Sequence, residues 1–306
     1  MSKRVLFMGT PDYATAIFKT LIESDYDVVG LFTQPDKPVG RKQVLTPPHI
    51  KQYCLDSKID LPIFQPLKLR NNEDAVIQIT NLKPDFIIVA AYGQILPKAI
   101  LDIAPCINLH ASLLPKYRGA SPIQESLLND DAFTGVTSML MEEGLDTGDI
   151  LGLEYLKITP TMEVAQAFNK LSVLAATLTI KTLDRYENLK PKKQNDSLAS
   201  LCKKIKKEHG QISFENAKKL YQTYKAYAYW PGVFTASGLK LKDIALVEES
   251  SQNRLGEILD VNDEGITVGC KKGSLLIKTL QAPSKKAVNA MDYIRGKRLA
   301  QGDCLE

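Results

Sequence analysis

Two polar side chains interrupt an apolar segment near the middle of the chain. Asn108 and His110 alternate with apolar residues over positions 106–110, so we expect both to face one side of a buried β-strand. An amide and an imidazole in such a place need hydrogen-bonding partners, and open α/β sheets bind ligands at the carboxyl ends of their strands. The pair therefore indicates a ligand-binding or catalytic site. A structural role stays open as the alternative, because a single histidine at a strand end is more often a structural group.

Two loop motifs accompany this strand. Residues 112–119, SLLPKYRG, follow it as an irregular loop in which Pro115 and Gly119 bracket a Lys-Tyr-Arg stretch. Residues 145–149, LDTGD, place Asp146 in a turn. A turn of this composition is common on its own, because an aspartate can bond its own backbone there. The joint occurrence of strand, loop and turn favours one functional site over three separate structural details.

The surrounding segments predict an α/β fold with a mostly parallel sheet. Apolar runs without alternation at 4–8, 27–33 and 86–91 are typical of parallel strands covered on both faces, and the last of them should be central. Helical patterns alternate with these runs, so helices should cover both faces of a Rossmann-like sheet. Residues 9–14, GTPDYA, lack the GxGxxG pattern and indicate dinucleotide binding only weakly.

A segment of unusual composition follows the second predicted strand. Residues 34–48 contain four prolines and one glycine, so the sequence predicts a long, irregular loop. Its basic residues, Lys37, Arg41 and Lys42, suit contact with phosphate groups. The alternative is a mobile surface excursion, although a long loop in a compact domain is more often functional or disordered than neutral.

The last third of the chain differs in pattern and in charge. Short strand-like runs between turns over 233–280 predict a small, closed β-barrel of the OB type. Residues 203–306 hold 18 Lys and Arg against 12 Asp and Glu, and residues 190–207 hold seven lysines and one acid. This excess suggests a polyanionic partner, with a solvated linker and ordinary surface as the alternative. We predict a catalytic domain (1–189), a basic linker (190–207) and a C-terminal β-barrel domain (208–306).

The composition is that of a globular protein with a substantial core. Of the 306 residues, 44% are hydrophobic and 24% are charged, and no apolar run approaches the length of a transmembrane helix. The N-terminus lacks the long apolar core of a signal peptide. The five cysteines are scattered without a CxxC pair, which favours reduced thiols and argues against a zinc site. We therefore expect a cytoplasmic protein that needs no membrane and no metal, and nothing in the sequence requires more than a monomer.

These motifs resemble those of the formyltransferases that use 10-formyltetrahydrofolate. The resemblance extends over essentially the whole chain, and it is carried by VLFMGTPDYA, QPDKPVGR, VAAYGQILP, NLHASLLPKYRGASPIQ, MEEGLDTGDI and WPGVFT. The loop at 34–48 and the basic β-domain are similar to those of the family members that act on tRNA. The resemblance implies transfer of a formyl group from 10-formyltetrahydrofolate to the α-amino group of initiator methionyl-tRNA, a step of translation initiation.

The resemblance implies catalytic roles for Asn108, His110 and Asp146. When a neutral amine attacks the formyl carbon, a tetrahedral intermediate forms with negative charge on oxygen, and Asn108 and His110 can donate hydrogen bonds to that oxygen. Asp146 can orient His110, or it can help to move the proton from the amine to the leaving folate nitrogen. This chemistry requires no metal.

The resemblance also implies two sets of binding residues. The pteridine of the folate should lie between the end of strand 86–91 and the loop before Asp146, where apolar walls suit a flat heterocycle. The folate set is Tyr92, Gly93, Ile95, Leu96, Ser112, Leu113, Leu114, Pro115, Met141 and Glu142. Arg41 matches the position expected to enter the tRNA acceptor stem, and nearby and linker lysines should contact phosphates. The tRNA set is Lys37, Arg41, Lys42, Lys203, Lys204, Lys206 and Lys207.

Two other functions remain open at this point. A related formyltransferase or a deformylase, acting on a nucleotide sugar or on free folate, would need neither the basic β-domain nor the loop at 34–48. An RNA-binding protein with an inactive transferase domain is the second alternative. The presence of Asn108, His110 and Asp146 together argues against it.

Overall fold

The structure, a computed structural model, describes residues 2–40 and 42–305. Helices and strands alternate over the first half of the chain, and strands dominate the last third. The α-helices are α1 (Asp12–Ile22), α2 (His49–Asp56), α3 (Glu73–Leu82), α4 (Lys98–Leu101), α5 (Pro122–Leu128), α6 (Val164–Arg185), α7 (Ala217–Tyr227) and α8 (Ala290–Lys297). The strands are β1 (Arg4–Gly9), β2 (Asp27–Phe32), β3 (Lys37–Val39), β4 (Val44–Thr46), β5 (Ile63–Phe64), β6 (Phe86–Ala90), β7 (Cys106–His110), β8 (Arg118–Gly119), β9 (Phe133–Leu140), β10 (Ile150–Lys157), β11 (Leu201–Cys202), β12 (Val233–Phe234), β13 (Lys240–Glu248), β14 (Ile258–Asn262), β15 (Gly265–Gly269), β16 (Ser274–Gln281) and β17 (Val288–Asn289).

A seven-stranded sheet organises the first half of the chain. Its order is β10-β9-β7-β6-β1-β2-β5. Strands β5, β2, β1, β6 and β7 run parallel to one another, and β9 runs antiparallel to both β7 and β10. The prediction of a mostly parallel α/β sheet is therefore confirmed. β6 is the fourth of seven strands and all five of its residues are buried, so its predicted central place is confirmed as well.

The strands and helices of this sheet form where the sequence lets apolar side chains be covered on both faces. Val5, Leu6, Phe7 and Met8 of β1 have no exposed surface. α1 covers one of these faces, since the ring of Phe18 lies 5.4 Å from the ring of Phe7. Continuous apolar strands of this kind need helices on each side of the sheet.

Residues 34–48 are more regular than the sequence predicts. β3 and β4 pair as an antiparallel hairpin, so the expectation of a wholly irregular loop is wrong. Pro38 fits because each strand of a two-stranded ribbon has one edge without a partner. Gly40 (φ +72°) and Gln43 (φ +50°) supply the left-handed backbone of the turn. Arg41, which the sequence analysis assigns to tRNA contact, lies outside the described residues.

The described chain packs into two compact units that do not follow chain order. The first contains the chain up to Pro122, Phe133–Lys157 and Phe168–Cys202. The second contains Ile123–Ala132, Ile158–Ala167 and the chain from Lys203 onward. The domain boundaries set at 189 and 207 stay predictions. Residues 190–202 group with the first unit, where β11 pairs in parallel with β8.

The second unit is built on an antiparallel sheet, as the sequence predicts for a small β-domain. Its order is β12-β13-β16-β15-β14, with β17 also paired to β16. α7 and α8 contribute to its core, which includes Leu220, Ile266, Ile277 and Ile294. The sequence analysis did not anticipate β17 or α8. In the described part of the chain, no helix has the length and apolarity needed to cross a membrane.

Candidate active site

β7 carries the polar pair that the sequence singles out. Within the sheet, Asn108 lies opposite Val89 of β6 and Met139 of β9, and His110 lies opposite Thr137. The His110 side chain is 7% exposed, whereas Asn108 is half-buried. Both residues stand on one strand two positions apart, so their side chains share one face of the sheet.

The turn at 145–149 brings Asp146 to this pair. The Asp146 carboxylate accepts a hydrogen bond from the Asn108 amide (Nδ2 to Oδ1, 3.4 Å) and lies 3.7 Å from His110 (Nδ1 to Oδ2). Its Oδ2 also accepts a hydrogen bond from the backbone N–H of Gly119 at 2.8 Å. The structure thus brings together the three residues to which the sequence analysis assigns catalysis, and their side chains meet in one place.

The hydrogen bond on the far side of the His110 ring fixes which nitrogen carries the proton. His110 Nε2 lies 2.9 Å from the backbone carbonyl oxygen of Tyr117. A carbonyl oxygen only accepts hydrogen bonds, so Nε2 must be the donor. In the neutral ring the basic atom is therefore Nδ1, which faces the Asp146 carboxylate. A proton taken up at Nδ1 would be stabilised by that negative charge.

The loop at 112–119 is held by hydrogen bonds within the first unit. The Ser112 hydroxyl donates to the Lys116 carbonyl (2.6 Å), and the Thr137 hydroxyl donates to the Ser112 carbonyl (2.6 Å) and accepts from the Leu114 N–H (3.0 Å). Ser112 and Leu114 are buried, and Leu113 and Pro115 are half-buried. The hydroxyl groups of Ser112 and Thr137 therefore hold the shape of this loop.

Gly119 allows the loop to reach Asp146. Its φ is +121°, and a Cβ atom at this position would collide with the carbonyl oxygen of Cys202. The neighbouring strands β8 and β11 run close together here, with Gly119 opposite Cys202. A residue without a side chain is required to place this N–H on the carboxylate.

Some of the remaining folate candidates belong to a buried apolar cluster, and the others are exposed. Tyr92 and Leu96 lie in one buried apolar cluster, and Met141 packs against that cluster. Gly93 is exposed, the Ile95 side chain is 79% exposed, and the Glu142 carboxylate accepts a hydrogen bond from the Thr147 hydroxyl. The Tyr92 hydroxyl is buried and has no hydrogen-bond partner among the described residues. Burial raises the pKa of this phenol above its ordinary range, so it stays a neutral donor.

Two other ionisable groups around β7 are also held neutral by burial. The Tyr13 hydroxyl donates to the Leu109 carbonyl at 3.2 Å, and burial raises the pKa of Tyr13. Burial raises the pKa of the Cys106 thiol to about 12. A thiol with such a pKa is not a nucleophile at neutral pH. No group of three or more His, Cys, Asp or Glu side chains in the described chain is arranged to hold a metal ion.

The candidate tRNA contacts are exposed lysines in two separate parts of the chain. Lys37 lies on β3 and Lys42 in the turn of the hairpin. The other four precede or begin the 3-10 helix at Lys207–Gly210, and Lys206 lies 3.6 Å from Glu208. The four are Lys203, Lys204, Lys206 and Lys207, and all four are exposed.

The sequence analysis missed a buried polar network behind Asp146. The side chain of Gln194 contacts the backbone of the turn that carries Asp146, and Arg118 contacts Gln194. Arg118 belongs to the loop at 112–119. No signal in the sequence marks Gln194, which lies in the lysine-rich stretch 190–207, where the sequence suggests a solvated linker.

Known protein families match this chain over most of its length. The formyl transferase family matches residues 3–183, and the formyl transferase C-terminal domain matches residues 204–298. The methionyl-tRNA formyltransferase of a Nitratiruptor species is 57% identical over 300 residues, which are 98% of this chain and 99% of that protein. The methionyl-tRNA formyltransferase of Wolinella succinogenes is 53% identical over 303 residues, with 99% of both chains covered.

Solved structures share the fold at low sequence identity. An N-formyltransferase from Helicobacter canadensis, in complex with folinic acid and dTDP-3-aminofucose, superposes with a TM-score of 0.68 at 17% identity over 90% of this chain and 98% of its own. HypX from Aquifex aeolicus, in complex with tetrahydrofolic acid, gives a TM-score of 0.66 at 15% identity. That match covers 99% of this chain, which spans about half of HypX (49%). The two family matches and the full-length identities lead to one conclusion: this chain belongs to the formyl transferase family.

Proposed function

We propose that the protein transfers the formyl group of 10-formyltetrahydrofolate to the α-amino group of initiator methionyl-tRNA. The observation that carries this proposal is the meeting of Asn108, His110 and Asp146 at the end of β7, in a chain of this family. Relatives more than half identical over their full length are named methionyl-tRNA formyltransferases. We also propose that the enzyme acts as a monomer in the cytoplasm.

The first chemical requirement is stabilisation of negative charge on the formyl oxygen. The folate supplies the formyl carbon, and attack by the amine moves charge onto its oxygen. The Asn108 amide makes only a long hydrogen bond to Asp146, at 3.4 Å, so it can turn a donor toward that oxygen. Removal of one such donor from an enzyme typically costs about 100- to 1,000-fold in turnover.

The second requirement is a path for the proton that the attacking amine must lose. The resemblance implies that His110 donates to the formyl oxygen, but Nε2 already donates to the Tyr117 carbonyl and the neutral ring has no second N–H. We therefore assign to Nδ1 the acceptance of the amine proton instead. Asp146, 3.7 Å away, stabilises the imidazolium that results. The proton is then delivered to the folate nitrogen as its bond to the formyl carbon breaks, and His110 returns to the neutral ring.

The residues present suit a folate. Tyr92, Leu96 and Met141 supply apolar surface, and the buried Tyr92 hydroxyl is a donor without a partner among the described residues. Buried polar atoms in native proteins nearly always find a hydrogen-bond partner. We assign that role for the Tyr92 hydroxyl to a polar atom of the bound heterocycle. This fit supports a pteridine beside the cluster of Tyr92 and Leu96.

The exposed lysines support a tRNA acceptor. Phosphate contacts position a nucleic acid without reading its sequence, and lysines on a hairpin and near a 3-10 helix suit that role. The proposal assigns Lys37, Lys42 and Arg41, which precedes Lys42 in the sequence, to the acceptor stem. It assigns Lys203, Lys204, Lys206 and Lys207 to further phosphates.

An acceptor panel tests the proposed function. Purified protein is incubated with 10-formyltetrahydrofolate and methionyl-tRNA, unacylated tRNA, an amino sugar linked to a nucleotide, or no acceptor. The proposal predicts formylation of methionyl-tRNA alone, and loss of that activity in Asp146→Asn. Formylation of the sugar, hydrolysis of the folate without an acceptor, or tRNA binding without turnover would each overturn it in favour of a different function.

A further inference from the structure

Gln194 holds the turn that carries Asp146. Its side-chain amide nitrogen donates one hydrogen bond to the carbonyl oxygen of Asp146 (2.8 Å) and a second to the carbonyl oxygen of Gly148 (2.7 Å). The residue is 5% exposed. Both N–H groups of the amide are therefore used on the backbone of one short turn, on either side of Thr147.

Arg118 fixes Gln194 from the opposite side. The Gln194 side-chain oxygen accepts two hydrogen bonds from the guanidinium, from Nε at 3.0 Å and from Nη2 at 2.8 Å. Arg118 is 7% exposed, and its Nη2 also donates to Asp196 at 2.7 Å. Since the guanidinium only donates and the two backbone carbonyls only accept, the amide has a single orientation that satisfies all four contacts.

The turn needs this support because of its backbone. Asp146 has a φ of +53°, a left-handed conformation that is strained for a residue with a side chain. Its carboxylate nevertheless has to stay within 2.8 Å of the Gly119 N–H and 3.7 Å of His110. An outside contact on the Asp146 and Gly148 carbonyls stabilises the conformation that keeps the carboxylate in place.

We propose that Gln194, oriented by Arg118, is a positioning residue that acts on formyl transfer through Asp146. The inference rests on the proposed function and on the role that it gives to Asp146. It makes residues 190–202, a stretch whose lysines suggest a linker, part of the support of the active site.

Gln194→Glu tests the inference directly. The substitution keeps the shape of the side chain and its acceptor for Arg118, but it replaces the two donated hydrogen bonds by oxygens that face carbonyl oxygens. We expect kcat for methionyl-tRNA to fall by about 10- to 100-fold with KM for both substrates within about twofold, because the carboxylate is displaced from the reacting groups. Gln194→Met, which carries no charge, should behave in the same way.

A double-mutant cycle with Asp146→Asn separates positioning from general damage. If Gln194 acts through Asp146, Gln194→Glu should lower kcat by less than about twofold in the Asp146→Asn background. Asp196→Asn is the matched control, since it removes the negative charge beside Arg118, on a side chain that is 77% exposed, and leaves both amide contacts with the turn intact. Its kcat should stay within about twofold of the unmodified enzyme.

Several results would overturn the inference while leaving the proposed function intact. One is a kcat close to that of the unmodified protein in both Gln194→Glu and Gln194→Met, under conditions in which the unmodified protein formylates methionyl-tRNA. Another is a full additional loss of kcat in the Asp146→Asn background. A loss of folded protein in Gln194→Glu and in Gln194→Met, detected by circular dichroism, would also contradict it, because a structural role would then suffice. Absence of formylation by the unmodified protein would instead refute the proposed function.

Discussion

At the scale of single residues, the site depends on which atoms are already occupied. Nε2 of His110 donates to the Tyr117 carbonyl, which leaves Nδ1 as the basic atom of the ring. Oδ2 of Asp146 accepts a hydrogen bond from the Gly119 N–H. The sequence predicts Asn108 and His110 as a polar pair because their alternation on an apolar strand is visible. Gln194 could not be predicted in this way, because its partners are backbone carbonyls 46 to 48 positions away.

The backbone of Gly119 gives a prediction at this scale. Gly119→Ala should lower kcat by at least about tenfold and destabilise the fold by more than about 1 kcal/mol, since the new Cβ collides with the Cys202 carbonyl and displaces the N–H from Asp146. Steady-state kinetics and urea unfolding measure the two effects.

Gly302→Ala is the matched control for Gly119→Ala. Gly302 also has a positive φ, of +90°, but a Cβ there meets nothing within 4 Å. It should lose stability through backbone strain alone, by about 1 kcal/mol, and keep its kcat. Equal kcat values for the two variants would show that the contact between Gly119 and Asp146 is dispensable.

At the scale of elements, the hairpin β3–β4 is anchored where it leaves the sheet. Asp36, just before β3, accepts two hydrogen bonds from Lys51 of α2 (2.9 and 2.8 Å) and one from Gln65 (2.8 Å), which also donates to the Gln34 carbonyl (2.8 Å). The prolines of residues 34–48 conceal this regularity from sequence analysis. Turn residues are easy to recognise, whereas pairing across a two-stranded ribbon depends on the geometry of the whole segment.

Asp36→Asn should loosen the hairpin and so raise KM for tRNA by about two- to fivefold with kcat unchanged, because the charged bonds from Lys51 weaken. Glu23→Gln is the control, as it removes the exposed ion pair between Lys19 of α1 and Glu23, whose charged atoms are 3.9 Å apart. A rise in KM for folate alone would contradict the assignment of this hairpin to tRNA.

The same substitution carries a dependence on pH. The hydrogen bonds from Lys51 and then Gln65 hold the pKa of Asp36 below its ordinary value of 3.8. An acid with a lowered pKa in the folded state contributes stability above its ordinary pKa and loses it as the pH falls through the folded pKa. The free energy of unfolding of the unmodified protein should therefore exceed that of Asp36→Asn by about 1 kcal/mol at pH 7, and the difference should vanish well below pH 3.8.

At the scale of the whole molecule, the two units combine distinct sequence patterns. The parallel sheet could be predicted because strands buried on both faces read as continuous apolar runs. The chain segments that make up each unit could not be predicted, because Ile123–Ala132 and Ile158–Ala167 group with the C-terminal chain through tertiary contacts. Lys225 illustrates such a contact, since its buried ammonium donates to the Pro160 carbonyl at 2.9 Å. No local pattern in the sequence predicts that a lysine is buried there.

The basic lysines of the second unit give a prediction at this scale. Replacing Lys203, Lys204, Lys206 and Lys207 by Gln should reduce the slope of log Kd for tRNA against log salt by about 3, because each phosphate contact releases bound counterions. Fluorescence titrations over a range of salt concentrations measure this slope. A variant with four other exposed lysines replaced by Gln, Lys68, Lys157, Lys170 and Lys297, should keep it. Equal slopes for the two variants would remove the first set from the tRNA surface.

The most direct test of the central claim is the rate of a single turnover of formyl transfer to methionyl-tRNA, with Asp146→Asn in excess over tRNA and folate saturating. The exchange keeps the size of the side chain but removes the charge that would stabilise a proton on His110. The account predicts a fall of at least about 100-fold in this rate, with the Kd for tRNA unchanged within about twofold. A rate near that of the unmodified protein would contradict it.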